Sequence, residues 1–89
     1  MKIPESMKIT VKLFAMLRDK LPPESDGYAF EMEVEAGTVP QDIIDHLEIS
    51  EQMAHLVMID GVHQLRSEHR TRVLKPGETV AIFPPVAGG

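Results

Sequence analysis

The chain ends Phe83-Pro84-Pro85-Val86-Ala87-Gly88-Gly89, and the terminal glycine carboxylate is the group best placed to do chemistry. Gly88 and Gly89 lack Cβ atoms, so they fit a narrow channel, tolerate positive φ and leave the last carbonyl carbon open to attack from either face. A carboxylate is a poor electrophile at neutral pH and has to be activated first, for example as a mixed anhydride with a nucleotide. The chain carries no phosphate-cradling glycine loop before Lys and Ser or Thr, and no dinucleotide-binding glycine fingerprint. It also has no cysteine, so it can neither hold a persulfide nor form a thioester. Activation and any sulfur must therefore come from partners.

The residues before the glycines make a handle. Pro84 has no N–H for a neighbouring strand and pushes Phe83 into an extended conformation, so a strand ending at Phe83 must stop there. Pro84 and Pro85 fix φ near polyproline values, and the arm loses less conformational entropy on docking than a Gly/Ser tail would. Six residues beyond Phe83 span at most about 20 Å, enough to thread from a domain surface into a buried site on another protein. Pro84, Pro85, Val86 and Ala87 are thus candidate partner contacts.

Other side chains offer less. His46, His55, His63 and His69 are not spaced to put two ligands on one helix face, so no metal site is expected. No Ser, His and Asp set suggests nucleophilic catalysis, and the chain is not expected to turn over substrate. Met32 and Met58 read as gap-filling core residues. A formal charge of −5 and a pI near 5.2 argue against nucleic acid and for a partner with a basic face. The four aromatic residues, Phe14, Tyr28, Phe30 and Phe83, lie outside any basic cluster. No segment approaches a membrane span, residues 1–6 lack the apolar run of a signal peptide, and the absence of cysteine suits a reducing compartment; a cytoplasmic protein without membrane contact is expected.

Positioning that tail falls to a single domain of 89 residues. From Met7 to Phe14 the chain alternates, with Ile9, Val11 and Leu13 on one face and Lys8, Thr10 and Lys12 on the other, which predicts a half-buried strand. Phe14, Leu17 and Leu21 fall at helical spacing before Pro22-Pro23. Tyr28 to Glu35 alternates again, setting Tyr28, Phe30, Met32 and Val34 against a solvated row of Glu31, Glu33 and Glu35, as a second strand antiparallel to the first. Thr38-Val39-Pro40-Gln41 has the form of a capping box with Thr38 at N-cap, opening a helix whose stripe is Val39, Ile43, Ile44 and Leu47. Leu56 to Ile59 is a continuous apolar strand closed by Asp60-Gly61, a hairpin signal. Arg66, Arg70 and Arg72 fall in a charged stretch read as a solvated loop. Lys75-Pro76-Gly77-Glu78 is a turn, and Thr79 to Phe83 the last strand. With one amphipathic helix, the economical fold is α+β, a mixed sheet curled around that helix with its last strand beside its first.

This order, ending in a diglycine, resembles the β-grasp family of ubiquitin-like proteins and, within it, the sulfur carriers of cofactor biosynthesis, nearest to the small subunits of molybdopterin synthase. Three blocks carry the resemblance: Leu13-Phe14-Ala15 running into Leu17-Arg18, Gly37-Thr38 at the helix start, and the specific run from Leu74 to Gly89. The resemblance implies a β-grasp domain over 7–83, a sulfur-carrying tail over 84–89 and an extension of no assigned role over 1–6. It implies that Gly89 is adenylated by a ubiquitin-activating-like enzyme that uses ATP in trans, thiocarboxylated with sulfur from a donor protein, and inserted into the molybdopterin synthase large subunit. Gly88 is then the channel-fitting residue, and Phe14 and Phe83 match positions that contact that subunit. No bound cofactor is implied. Sulfur delivery to thiamin thiazole or cysteine synthesis, and attachment to proteins as a modifier, use the same activated acyl group.

Overall fold

The computed structural model describes residues 6–85. Five strands form one mixed sheet in the order β2-β1-β5-β3-β4, where β1 is Ser6–Leu13, β2 Ala29–Glu35, β3 Leu56–Ile59, β4 Val62–Gln64 and β5 Thr79–Phe83. The central pair, β1 and β5, is parallel, and every other pairing is antiparallel. Alternation sorts the sheet into two faces. Ile9, Val11 and Leu13 of β1, Val34 of β2, Val57 and Ile59 of β3, and Val80 and Ile82 of β5 are buried on one face with Ile43 and Ile44 of the helix α1 (Pro40–His46). Lys8, Thr10 and Lys12 lie on the opposite face, across from Glu33, Glu31 and Ala29.

β1 begins one residue earlier than expected, at Ser6, and three other boundaries depart from the sequence expectation, each for a local reason. The second strand begins at Ala29 rather than Tyr28. Asp26 and Ala29 exchange backbone hydrogen bonds of 2.9 and 3.1 Å across Gly27 and Tyr28, and Gly27 takes φ +67 to close the turn. The first strand ends at Leu13, because Phe14 starts a 3-10 segment, Ala15–Lys20, with Ala15 at φ +53. At the helix, Pro40 occupies the first turn and forces the residue before it to be extended. Val39 (φ −115, ψ 163) is therefore the N-cap rather than Thr38, and the reciprocal Thr38–Gln41 box does not form. The Asp42 carboxylate accepts the Val39 N–H at 3.0 Å instead, while the Thr38 hydroxyl donates to the Glu35 carbonyl at 2.6 Å and tightens the turn after β2.

The hairpin signal at Asp60-Gly61 is realised as a turn with positive φ at both residues (+49 and +83), the backbone of a type I′ turn. Asp60 also ties β3 to the start of β5: its carboxylate accepts the Thr79 N–H at 2.8 Å and its own N–H donates to the Thr79 carbonyl at 2.9 Å.

The stretch read as a solvated basic loop holds two surprises. It forms a second 3-10 segment, Arg66–Arg70, in which His69 is only 3% exposed. Arg72 makes a two-pronged ion pair with Glu78, at 3.0 and 2.6 Å. Glu78 also accepts the Lys75 N–H at 2.7 Å, so one carboxylate fastens both this loop and the turn leading into β5. Arg66 and Arg70 remain exposed, as expected.

Both groups give stability a pH dependence. The Arg72 hydrogen bonds, outweighing desolvation, hold the Glu78 carboxyl below its ordinary value of 4.5. A depressed carboxylate stabilises fully above its unfolded pKa and loses that contribution as pH falls through the folded value. Glu78→Gln should cost about 1–3 kcal/mol at neutral pH and flatten the most acidic part of the stability profile. Burial lowers His69, opposed by a Gln64 backbone hydrogen bond and the Glu68 charge and reinforced by Arg66 and His63. Its neutral ring favours the fold above the unfolded histidine pKa, and protonation of the unfolded chain erodes stability below about pH 6.5. In urea titrations across pH, the slope beginning there should disappear in His69→Gln.

Candidate functional site

The end of β5 is the candidate site, because the residues expected to carry the chemistry follow it in the sequence. Parallel pairing sets Leu13 beside Ile82, so the next residues, Phe14 and Phe83, emerge side by side on the sheet face away from the helix. Their rings stack with centroids 4.2 Å apart and planes 6° from parallel. Tyr28, put there by the Asp26–Ala29 turn, packs on Phe14 at 5.0 Å and 40°. Lys12 Nζ lies 5.7 Å from the Tyr28 ring centre, within reach of its π face.

The backbone of the exit is held from both sides. The Phe14 N–H donates to the Ile82 carbonyl at 3.3 Å, and the His55 N–H donates to the Phe83 carbonyl at 3.1 Å. The strand then ends at Phe83, where Pro84 supplies no donor, and Pro84 is itself buried while Pro85 is half-buried. Val86, Ala87, Gly88 and Gly89 lie outside the described residues, as do residues 1–5.

Phe14 and Phe83 are half-buried and belong to the outer face; the fully buried core is built from other residues. The same face gains Leu56, which pairs with Phe83, and Met58, which pairs with Ala81. A shallow depression runs from Phe14 and Phe83 past Lys12, Met58 and Ala81 to Asp60 and Thr79. Its floor is apolar, and its rim carries one cation, Lys12, and one anion, Asp60. The family resemblance singles out Phe14 and Phe83, whereas alternation sets Tyr28 on the face of Phe30, Met32 and Val34, Met58 reads as core, and Leu56 reads only as part of an apolar strand. The signal lay in the unbroken apolar run Leu56–Ile59: a single helix covers one face of the sheet, so half of that run had to face outward.

The glutamates of β2 lie on this outer face, all exposed, and Glu33 accepts a 3.2 Å hydrogen bond from the Ser6 hydroxyl. Among the described residues no three His, Asp or Glu side chains converge as metal ligands, and no helix is long and apolar enough to cross a membrane.

Comparison with known proteins sets this geometry in context. The model of the ThiS family matches residues 11–89. No curated protein sequence matches the chain. Among solved structures, the Haloferax volcanii HVO 2177 protein is similar with a TM-score of 0.74 at 22% identity, over 94% of this chain and 88% of that one. SAMP1 from Haloferax volcanii is similar at TM-score 0.63 and 21% identity, over 92% and 99%. The small archaeal modifier protein 1 from Methanosarcina acetivorans gives 0.62 and 24%, over 96% and 99%. The mixed sheet, its single helix and these likenesses establish the β-grasp fold.

The division between the core and this outer apolar face is measurable. Ile82→Ala, which empties a fully buried position, should cost about 2–5 kcal/mol. Phe14→Ala, which removes a larger side chain from a half-exposed stack, should cost only about 1–2 kcal/mol. Equal losses in urea midpoints would assign Phe14 to the core.

Proposed function

The chain belongs to the ThiS family of ubiquitin-like sulfur carriers, and from that premise we propose that it carries sulfur on Gly89 as the small subunit of molybdopterin synthase. The observation that supports this most is the exit itself: a strand fixed on both sides up to Phe83, a proline pair that ends it, and an aromatic docking face beside the point of departure.

In the proposed cycle an adenylating, ubiquitin-activating-like enzyme docks on the face around Phe14 and Phe83. A Gly89 carboxylate oxygen attacks the α-phosphorus of ATP, and pyrophosphate leaves. The terminal sulfur of a donor protein's persulfide then attacks the acyl carbon and AMP departs. A second thiol releases the thiocarboxylate, leaving the donor as a disulfide. The charged tail, with Gly88 fitting the channel and Pro84, Pro85, Val86 and Ala87 lining its approach, enters the large subunit and gives up its sulfur to the pterin dithiolene that binds molybdenum or tungsten. The carrier positions and presents; catalysis and ATP belong to the partners, and the cytoplasm supplies all of them.

The Phe83-Pro84-Pro85-Val86 approach favours this acceptor over thiamin thiazole or cysteine synthesis, since thiamin carriers lack the two prolines. The likeness to two small archaeal modifier proteins favours a second reading, in which the same activated Gly89 is joined to lysines of target proteins.

Intact mass of the chain recovered from cells, before and after incubation with ATP, an activating enzyme and a sulfur source, tests the proposal. A gain equal to replacing one oxygen by sulfur, localised to the tail peptide by fragmentation, is expected. No gain beside a competent control carrier would remove the sulfur-carrier reading. Adding one alanine after Gly89 should abolish transfer with the far-UV spectrum unchanged. High-mass conjugates that vanish when Gly89 is deleted would instead support the modifier reading.

A further inference from the structure

β2 is an edge strand, and its free side is not blunted in its backbone. The Leu13 N–H donates to the Tyr28 carbonyl at 2.9 Å, which makes Leu13 and Tyr28 a hydrogen-bonded pair of the β1–β2 ladder. Pairing alternates along an antiparallel ladder, so Phe30, Met32 and Val34 turn their N–H and C=O groups toward β1, whereas Ala29, Glu31, Glu33 and Glu35 turn theirs outward. Two of these outward residues are used at the ends of the strand: both Ala29 groups bond Asp26, and the Glu35 carbonyl accepts the Thr38 N–H at 3.2 Å. Between them, the N–H and C=O groups of Glu31 and Glu33 have no partner among the described residues.

Beside this open edge runs a groove of about 550 Å³ between β2 and α1, lined by Met32, Val34, Thr38, Asp42, Ile43 and His46. A second, contiguous hollow continues along Phe30, Met32 and Leu47 toward Lys20. The groove has an apolar floor, and the surroundings are acidic: Glu31, Glu33, Glu35 and Asp42 are all exposed. Lys8, opposite Glu33, offsets one of these charges, whereas Glu31 faces the neutral Thr10.

We infer that this edge and groove accept an extended segment of a partner protein in which Lys or Arg alternates with aliphatic residues, added to the sheet as a sixth strand. A strand laid on β2 would satisfy the free groups of Glu31 and Glu33. Its inward side chains would enter the groove over Val34 and Ile43, and its outward ones would stand beside the glutamates, where cations are favoured and anions repelled. A second copy of this chain is a poor occupant, because pairing β2 with β2 sets one row of glutamates against another. The edge is separated from β5 by β1, so a segment bound there leaves the tail and its aromatic face free. The surface is therefore distinct from the one assigned to the activating enzyme and the large subunit, and the inference does not rest on that assignment.

The test is an amide-resolved NMR titration of the full chain with the synthetic peptide acetyl-Lys-Val-Lys-Val-Lys-Val-Lys-amide. Saturable shifts and slowed hydrogen exchange at the Glu31 and Glu33 amides are expected, with side-chain shifts at Met32 and Ile43. Two backbone-methylated peptides read the geometry. Antiparallel addition uses the lysine N–H groups and parallel addition the valine ones, so methylating one set, and not the other, should weaken binding at least about tenfold. Glu31→Gln with Glu33→Gln should weaken it several-fold at low salt with the unliganded spectrum otherwise preserved. Glu33→Pro, tolerated where an edge N–H faces solvent, should do so by removing a donor. The inference is overturned if no saturation occurs, if both methylated peptides bind as well as the parent, or if shifts gather around Phe14 and Phe83. It is equally overturned if the edge amides are already protected in the free chain, whether by self-association that depends on concentration or by an intramolecular cover lost on deleting residues 1–5.

Discussion

Parallel pairing of β1 with β5 is the contact on which the rest of the molecule depends. These strands come from opposite ends of the sequence, and their register, Thr10 to Thr79 through Leu13 to Ile82, closes the longest loop in the chain. Closing it is entropically costly, and the return is the centre of the core, where Val11, Leu13, Val80 and Ile82 are almost completely buried. It also fixes which residues become neighbours at the sheet's end. Shift the register by one residue and Val80 and Ile82 would turn to solvent while Thr79, Ala81 and Phe83 faced the helix. The outer aromatic face and the core are thus two outcomes of the same pairing.

The outer face follows from a shortage of covering elements. A sheet of five strands with one seven-residue helix cannot bury both surfaces, and most β proteins of this design make the second face polar. Here the β1–β2 half obeys that rule with lysines and glutamates, and the β5–β3 half breaks it with Phe14, Phe83, Leu56 and Met58. The aromatic stack lowers the cost of exposure, since each ring covers a face of the other. The apolar ground runs along β3 and β5 past Met58 and Ala81, and its aromatic end, Phe14 and Phe83, lies where β5 gives way to Pro84.

Alternation, turn chemistry and the proline pair make most of this legible in the sequence. The strands expected from Met7, Tyr28, Leu56 and Thr79 begin within one residue of those positions, and the turn at Asp60-Gly61 and the stop at Phe83 fall where local rules put them. What was not legible depends on contacts between distant residues. Thr38 reads as a cap until Pro40 is recognised as the first helical residue, which passes the role to Val39 and Asp42. Arg72 reads as solvated because Glu78, its partner, sits on the far side of a turn. His69 reads as polar because nothing in its neighbourhood announces burial. At the site, Phe14 and Phe83 could be named only through the family resemblance, while Leu56 and Met58 join them through strand register and Tyr28 through the Asp26–Ala29 turn.

The tail's attachment to β5, rather than to an edge, has a mechanical consequence. Any load applied to the chain beyond Phe83 passes into its last strand. An edge strand held by one ladder can be peeled away bond by bond. β5 lies between β1 and β3, paired on both sides, and Asp60 fastens its beginning while His55 and Phe14 hold its last residues. Pulling on Pro84 therefore loads two ladders along their length, in shear, so that many bonds resist together instead of in turn. The edge strands are released from that duty, and β2 keeps a backbone edge open for pairing without endangering the part of the sheet that holds the tail.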